Sequence, residues 1–577
     1  MSEKSGRQRT SATMASGQPA PLLFLNHLST DSFRKERQLD TRAKAHASRQ
    51  GHQLKSTQPK NFKFVTCFSR GGTGRDSDLA ETKASTKPSG RPAKSKSTPK
   101  RGRPNDQDAS QLLPRGISPR GIGVGVWDPF NSLIVPNLAQ DEHFMLHYAF
   151  STTWSAFGES EGGKNTFVQH WMWRTMENPA TLYAQLLGSS THYVLSCSES
   201  MSHSHTITMG LQWKAQAIQA LRCEIDGYQA FPDVAIADSA LVAIFVLAVH
   251  GGFDLSPQPE PHPLSPLATY RDMHIYGRMT FAEEHVRALY TFIEQRGGLG
   301  HIDQPTFGCV MHLLDMLYNA RLGSVPRFPC DRQLQTILQT ELWQPDQKAT
   351  HLLKILGKAF RLGLGDESLL PTSQLDQNMT DILATMAEIT VALDHFHRGG
   401  PGAPESLDVL ANNCDWASHK LLSTTSQLRP DVDELDACQL LMETGPVLRE
   451  ICRLSSLIFL DMIILPTPHH AQIKYRHSLA MLPLVSALQG SEWNADGCVS
   501  EFLIWATMLG AIASRFTELH GSYLDLVHEY QARRCSTWET IRPRINRHLW
   551  LDCVCDLPAE IVWSEAQRRR VSADNCT

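Results

Sequence analysis

The sequence predicts an all-α fold, with one large helical domain at residues 121–577 and a basic, mostly disordered region at residues 1–120. Three observations predict it. Beyond Trp127, apolar residues recur at three- and four-residue spacing, strand-like alternation is scarce, and glycine and proline mark the ends of helices. Hydrophobic residues make up 41% of the chain and charged residues 20%, which excludes a wholly disordered, collagen-like or coiled-coil protein.

The clearest predicted helix runs from Phe281 to Arg296. Thr280 and Glu283 have the spacing of a capping box at its start. Gly297 and Gly298 follow, and glycine commonly ends a helix in a left-handed conformation. The same periodicity predicts further helices at Asp238–Val249, Gly308–Ala320, Thr380–His395, Val447–Ile464, Val499–Leu519 and Thr537–Leu551. Proline-rich segments at Pro257–Pro266 and Gly399–Pro404 predict surface loops between helical groups.

No segment is expected to insert into a membrane or to direct secretion. The longest apolar run, Ala235–Val249, is interrupted by Asp238 and Ser239 and is shorter than the roughly 20 residues that a membrane span needs. It therefore predicts a buried helix. The 13 cysteines are scattered, which favours a reducing compartment over a small disulfide-linked scaffold.

Charge divides the chain into two parts. Residues 1–120 carry 24 Lys and Arg against 9 Asp and Glu, a net charge of +15, whereas residues 121–577 carry 31 against 50, a net charge of -19. Residues 56–120 are rich in Ser, Thr, Lys, Gly and Pro, which predicts disorder, and a short helix is predicted near residues 31–50. A polyanionic partner is expected to meet the basic head.

The head contains the segment Lys100-Arg101-Gly102-Arg103-Pro104. Such a core can lie extended in a narrow minor groove, with glycine against the floor and the two arginines along it. Residues Arg101, Gly102, Arg103 and Pro104 resemble an AT-hook, which implies contact with A·T-rich DNA. Two other interpretations remain open: a solvated basic linker, or a nuclear import signal formed by Lys94, Lys96, Lys100, Arg101 and Arg103.

No catalytic, metal or cofactor site is predicted. The histidine pairs His203/His205, His395/His397 and His469/His470 lack a cysteine or carboxylate at zinc-site spacing, and Cys553 and Cys555 lack a second pair. Gly121–Gly125 does not follow a strand as a phosphate-binding loop does. The sequence therefore predicts a protein that is not an enzyme.

Five stretches share their order with a known family. They are the helix His285–Leu299, the block Asp315–Ala320 with Pro326–Pro329, the helix Glu450–Leu460, the helix Leu503–Ala513, and the closing block Trp538–Trp550 with Cys555, Asp556 and Trp563. Together they resemble the fungal-specific transcription factor domain, and more closely the subgroup that carries the misleading name "tachykinin family". In the head, Phe24-Leu-Asn26 and Arg42–His46 are similar to the subgroup's N-terminal element, and Asp128-Pro-Phe130 to the entry to its helical domain.

This resemblance implies an all-α regulatory domain and a nuclear transcription regulator whose partners are other transcription regulators or co-regulators. Many relatives carry six closely spaced cysteines that bind two zinc ions, but here Cys67 alone precedes Cys197, so the zinc cluster is absent from this sequence. The expected function is regulation through the helical domain, with weak contact between the basic head and A·T-rich DNA. A protein–protein interaction module that does not bind DNA and an enzyme of unrecognised type are the alternatives.

Overall fold

A computed structural model gives the fold of this chain. It describes residues 133–157, 161–197, 203–230, 237–253, 255, 264–302, 305–330, 332–334, 337, 342–357, 360, 377–426, 428, 444–468, 472–492, 497–534 and 536–574. Across these residues the structure consists of helices with a single two-stranded ladder, which confirms the predicted all-α class. No helix in this part of the chain has both the length and the apolar character to span a bilayer.

The first half of the described chain contains eight α-helices and the ladder. A π-helical turn at Ala149–Thr153 and a 3-10 turn at Trp154–Phe157 continue the first helix. Strand β1 (Gly252–Phe253) pairs antiparallel with β2 (Met279–Thr280). The helices are α1 (Gln140–Tyr148), α2 (Glu161–Glu177), α3 (Pro179–Ser196), α4 (His203–Ala230), α5 (Asp238–Val249), α6 (Met273–Tyr276), α7 (Glu283–Gln295) and α8 (Pro305–Leu322).

The second half of the described chain is also helical. A π-helical turn at Leu460–Ile464 extends the helix that begins at Thr444. The helices are α9 (Gln347–Ile355), α10 (Gln377–Arg398), α11 (Ala411–Leu422), α12 (Thr444–Phe459), α13 (Ile473–Glu492), α14 (Cys498–Ala513), α15 (His520–Arg534), α16 (Trp538–Ile545) and α17 (Asp552–Asp574).

Helix α5 lies at the centre of the first half. All twelve of its residues are buried, as expected for a helix that is apolar on every side after Asp238 and Ser239. It packs against α2, α3, α4, α7 and α8. The prediction of a buried helix rather than a membrane span at this run is therefore confirmed.

Helix α7 was predicted correctly, but its predicted N-terminal cap is wrong. The N-cap residue is Ala282, which has no side-chain cap hydrogen bond. Thr280 belongs to β2, where it pairs with Gly252, so its position is fixed by the ladder rather than by the helix. The predicted end is confirmed: Gly297 and Gly298 have φ values of 90° and 103°.

Helix α8 is tied to α7 and to the loop that follows it by the carboxyl group of Asp315. This side chain accepts hydrogen bonds from Tyr290 Oη at 2.6 Å, Asn319 Nδ2 at 2.7 Å and the Phe328 backbone N–H at 3.0 Å. Asp315 is fully buried. Residues that are distant in sequence thus meet at one satisfied polar centre.

The C-terminal helices pack around Trp505 of α14. Its Nε1 donates to the Leu549 carbonyl at 2.9 Å, and the His548 ring lies flat on the indole at 5.2 Å. The predicted helices at Val499–Leu519 and Thr537–Leu551 are too long, because α14 ends at Ala513 and α16 ends at Ile545. The residues after α16 instead form the non-helical segment that covers Trp505.

Candidate functional site

A partly open cavity of about 60 Å³ lies between helices of the first half. It is bounded by the turns after α1 and by α2, α3, α5, α6 and α8, and most of its lining is apolar or aromatic. The lining residues are Thr153, Trp154, Phe157, Phe167, Trp171, Gln185, Gly188, Ser189, Phe245, Val246, Val249, His250, Tyr276, Phe281, Val310, Leu313, Leu314 and Leu317. An apolar cavity with a few polar groups in its wall is the usual form of a small-molecule site.

Stacked aromatic rings form one wall. Phe167 stacks on Trp171 with ring centroids 5.2 Å apart, and Phe157 stacks on Phe167 at 5.6 Å. Phe245 of α5 meets Trp171 edge-on at 5.9 Å. The helical spacing of Phe167 and Trp171 places both rings on one face of α2. These rings make this wall of the cavity aromatic.

The opposite side depends on a close approach of α3 to α5. A Cβ atom on Gly188 would lie 3.2 Å from Val246 Cγ1 and 3.3 Å from His250 Cε1. Such contacts are tighter than ordinary packing, so the glycine allows the two helices to approach. It brings Gln185 and His250 into the lining of the same cavity.

His250 is a neutral ring at physiological pH. Burial lowers its pKa to about 4, against the smaller opposing effect of its hydrogen bond to the Val246 carbonyl. The Nδ1 atom lies 2.9 Å from that carbonyl oxygen, which can only accept, so Nδ1 carries the proton. Nε2 is therefore a hydrogen-bond acceptor, and it has no partner among the described residues.

A polar cluster adjoins the cavity through Tyr276. The Tyr276 ring lies 6.0 Å from the His250 ring and 6.0 Å from the His192 ring. His192 Nε2 is 3.0 Å from Asp272 Oδ2, and its Nδ1 is 2.9 Å from Tyr148 Oη. Asp272 has a left-handed backbone with φ 53°, which is a strained conformation for this residue.

Ser196 gives this cluster the outline of a Ser-His-Asp arrangement. Its Oγ lies 3.1 Å from His192 Nδ1, but it donates its proton to the His192 carbonyl at 2.7 Å. Burial raises the pKa of Tyr148 to about 12, so the phenol stays protonated, and its Oη lies closer to His192 Nδ1, at 2.9 Å, than the Ser196 hydroxyl does. The geometry therefore joins α1, α3 and the strained corner at Asp272, and it does not leave Ser196 an activated nucleophile.

The residues predicted to contact DNA or to direct nuclear import lie outside the described residues. These are Lys94, Lys96, Lys100, Arg101, Gly102, Arg103 and Pro104. They stay predictions, as does the short helix near residues 31–50.

The structure describes two of the three histidine pairs and the cysteine pair. His395 is buried and accepts from Trp343 Nε1 at 3.0 Å, whereas His397 is exposed. His205 lies on α4, 3.1 Å from Asp141, and His469 and His470 are outside the described residues. Burial raises the thiol pKa of Cys555, and that of Cys553 to about 11. Within the described ranges, no group of three or more His, Cys, Asp or Glu side chains is placed to bind a metal.

Sequence reasoning missed the cavity. Two signals were available: a histidine directly after the long apolar run of α5, and a glutamine within the largely buried helix α3. Comparison with known proteins adds no assignment, because no family model matches the chain and no curated protein or solved structure is significantly similar to it.

Proposed function

We propose that this chain is a nuclear transcription regulator in which a basic head contacts nucleic acid and an acidic all-α body carries the regulation. The observation that carries the proposal is the cavity with an aromatic wall in the helical body. A small cavity whose wall contains few polar groups suits the binding of an effector better than turnover of a substrate.

The division of charge supports separate roles for the two parts. A body with a net charge of -19 is repelled by phosphate, so affinity for DNA is expected to reside in the head with its net charge of +15. Arg101 and Arg103 are the residues proposed to enter the minor groove of A·T-rich DNA. The body is left to bind co-regulators or an effector.

The resemblance of five ordered stretches to the fungal-specific transcription factor domain also supports this proposal. In the structure these stretches lie at helix contacts: the first two meet at Asp315, and the last two meet at Trp505. Their roles in the interior are structural, as expected for the framework of a regulatory domain.

Chromatin mapping of the tagged full chain tests the proposal. We expect enrichment at A·T-rich sites, reduced by Arg101→Ala together with Arg103→Ala. A matched control, Lys55→Ala with Lys60→Ala, removes the same charge elsewhere in the head and is expected to retain the A·T preference. Absence of enrichment for the unaltered chain would favour the alternative of an interaction module that does not bind DNA.

Nuclear import is tested separately with a fluorescent fusion. Deletion of residues 83–104 removes the cluster Lys94–Arg103 and is expected to abolish nuclear enrichment. An unchanged nuclear signal would move the import role elsewhere, with the basic segment at residues 34–49 as the next candidate.

Direct DNA contact is measured by fluorescence anisotropy with labelled duplexes. Because binding releases counterions, log affinity should fall with log salt at about 0.9 per phosphate contacted. The head is expected to prefer A·T-rich over G·C-rich duplex, and equal binding of both would support the linker interpretation.

A further inference from the structure

The cavity wall contains four buried polar atoms that have no hydrogen-bond partner in the described part of the chain. They are Thr153 Oγ1, Trp171 Nε1, Gln185 Nε2 and His250 Nε2. All four residues line the one cavity, and each is at most 7% exposed. Buried polar atoms are rarely left unpaired, and four of them in the wall of a single cavity indicate a polar occupant.

The neighbouring hydrogen bonds fix what each atom can offer. Gln185 Oε1 accepts from Trp154 Nε1 at 3.2 Å, so the amide NH₂ of Gln185 is the unpaired end and acts as a donor. The indole N–H of Trp171 is also a donor. His250 Nε2 is an acceptor, because Nδ1 carries the proton. The occupant must therefore have both an N–H or O–H group and a lone pair.

The fourth atom is placed by an unusual turn of the chain. Thr153 ends the π-helical segment Ala149–Thr153, and its hydroxyl can donate or accept. Single π-helical turns are rare and often occur at functional sites. This turn inserts a polar group into a wall that is otherwise made by Trp154 and Phe157.

The wall also restricts the charge and size of the occupant. Lys, Arg, Asp and Glu are absent from the described lining, so a charged ligand would lose its hydration without gaining a counter-charge. The volume of about 60 Å³ is less than half of the roughly 150 Å³ that holds benzene in an engineered apolar cavity, and the cavity is partly open, so a small ring fits with one edge towards the opening. The rings of Phe157, Phe167 and Trp171 make the wall aromatic, which suits an aromatic occupant, because aromatic rings attract one another both edge-to-face and in offset stacks.

We infer that the cavity binds a neutral five-membered heteroaromatic ring of the azole class, whose N–H donates to His250 Nε2 and whose ring nitrogen accepts from Gln185 Nε2 or Trp171 Nε1. The inference rests on the cavity alone. It adds an effector to the regulatory body proposed above, but it does not depend on contact between the head and DNA.

Isothermal titration calorimetry of the full chain with pyrazole tests this inference, with 1-methylpyrazole as the matched ligand that lacks the N–H. Pyrazole is expected to bind saturably at one site, and the methylated ring at least about tenfold more weakly, because it cannot donate to His250 Nε2. Equal affinity for the two rings would overturn the assignment to His250. Absence of saturable pyrazole binding would leave buried water as the occupant and would overturn the inference as a whole.

Variants locate the binding in the cavity. His250→Asn retains an amide donor near the position of Nδ1 and removes the Nε2 acceptor, so affinity is expected to fall about tenfold. Val310→Leu, an apolar change, fills part of the cavity and is expected to weaken binding even if His250→Asn fails to fold. His548→Asn alters a buried histidine outside the lining and serves as the control with unchanged affinity. Unaltered affinity in the folded Val310→Leu variant would place pyrazole elsewhere and overturn the inference.

The two proposals fail separately. The anisotropy measurement reports on the head and DNA, whereas calorimetry with pyrazole requires no nucleic acid. Loss of either result leaves the other intact.

Discussion

Helix α8 borders two buried regions whose polar groups differ in how they are hydrogen-bonded. On one side the carboxyl group of Asp315 accepts from Tyr290, Asn319 and the Phe328 backbone at 2.6–3.0 Å. On its apolar face, Val310, Leu313, Leu314 and Leu317 line the cavity whose remaining wall contains the four unpartnered atoms. The two regions differ in whether the protein itself completes the hydrogen bonds.

The comparison teaches that burial of polar groups does not by itself mark a functional site. The group around Asp315 is closed, because each donor named there has its acceptor within the fold, and its role is to join α7, α8 and the segment after α8. The cavity wall is open, because the fold holds its donors and its acceptor in place but a molecule that enters the cavity must complete their hydrogen bonds.

The largest expected effect comes from removing the carboxyl group of Asp315. Asp315→Ala removes one acceptor group and leaves three buried donors without it, so we expect the free energy of unfolding to fall by about 3–5 kcal/mol. Differential scanning calorimetry of the full chain measures this as a lowered Tm. Asp381→Ala, on the exposed side of α10 and bonded to Gln377, is the control and should change the free energy by less than about 0.5 kcal/mol. Equal effects of the two substitutions would show that the Asp315 group does not support the fold.

The second prediction concerns pH and the open wall. Burial lowers the pKa of His250 from 6.5 to about 4. His250 therefore binds a proton near pH 6.5 in the unfolded chain but only near pH 4 in the folded chain. Stability is lost as the pH falls through this window. His250 should contribute a loss of about 2 kcal/mol by pH 5.

The measurement compares urea denaturation of the unaltered chain and of His250→Asn at pH 7 and pH 5. The variant is expected to lose about 2 kcal/mol less than the unaltered chain between these two pH values. His477 and His548, whose pKa values burial also lowers, to about 3, contribute to both proteins and cancel in the comparison. Identical pH dependence would mean that the His250 ring is not held neutral by burial.

The sequence predicted the fold well where the signal is local. Periodicity and the apolar run placed α5 with its observed bounds, and the glycine pair placed the end of α7. The capping box at Thr280 was wrong because pairing with Gly252 across a 28-residue separation decides the conformation there. Local patterns do not contain such long-range pairing.

The cavity could not be predicted in the same way. Thr153, Trp171, Gln185 and His250 come from four elements, and Trp171 shares a helical face with Phe167 that is typical of a core. What makes them a candidate site is that their polar atoms lack partners, which depends on packing rather than on composition. Arg101 and Arg103, which are proposed to contact DNA, show the reverse case, since their motif is local and they lie outside the described residues.

The smallest expected effect is a change of about 1 kcal/mol in the free energy of unfolding. Its sign differs between a buried hydroxyl that has no partner in the described chain and one that is hydrogen-bonded. Thr153→Val replaces a buried hydroxyl that has no partner in the described chain with a methyl group of similar shape, so the free energy of unfolding is expected to rise by up to about 1 kcal/mol. Thr181→Val is the matched control, because the Thr181 hydroxyl is equally buried but donates to the Ser239 carbonyl at 2.6 Å, and its loss should cost about 1 kcal/mol. Chemical denaturation of the two variants under identical conditions gives the comparison. If Thr153→Val destabilises the chain as much as Thr181→Val does, then the Thr153 hydroxyl already has a partner such as a bound water, and the cavity wall is closed in the same sense as the group around Asp315.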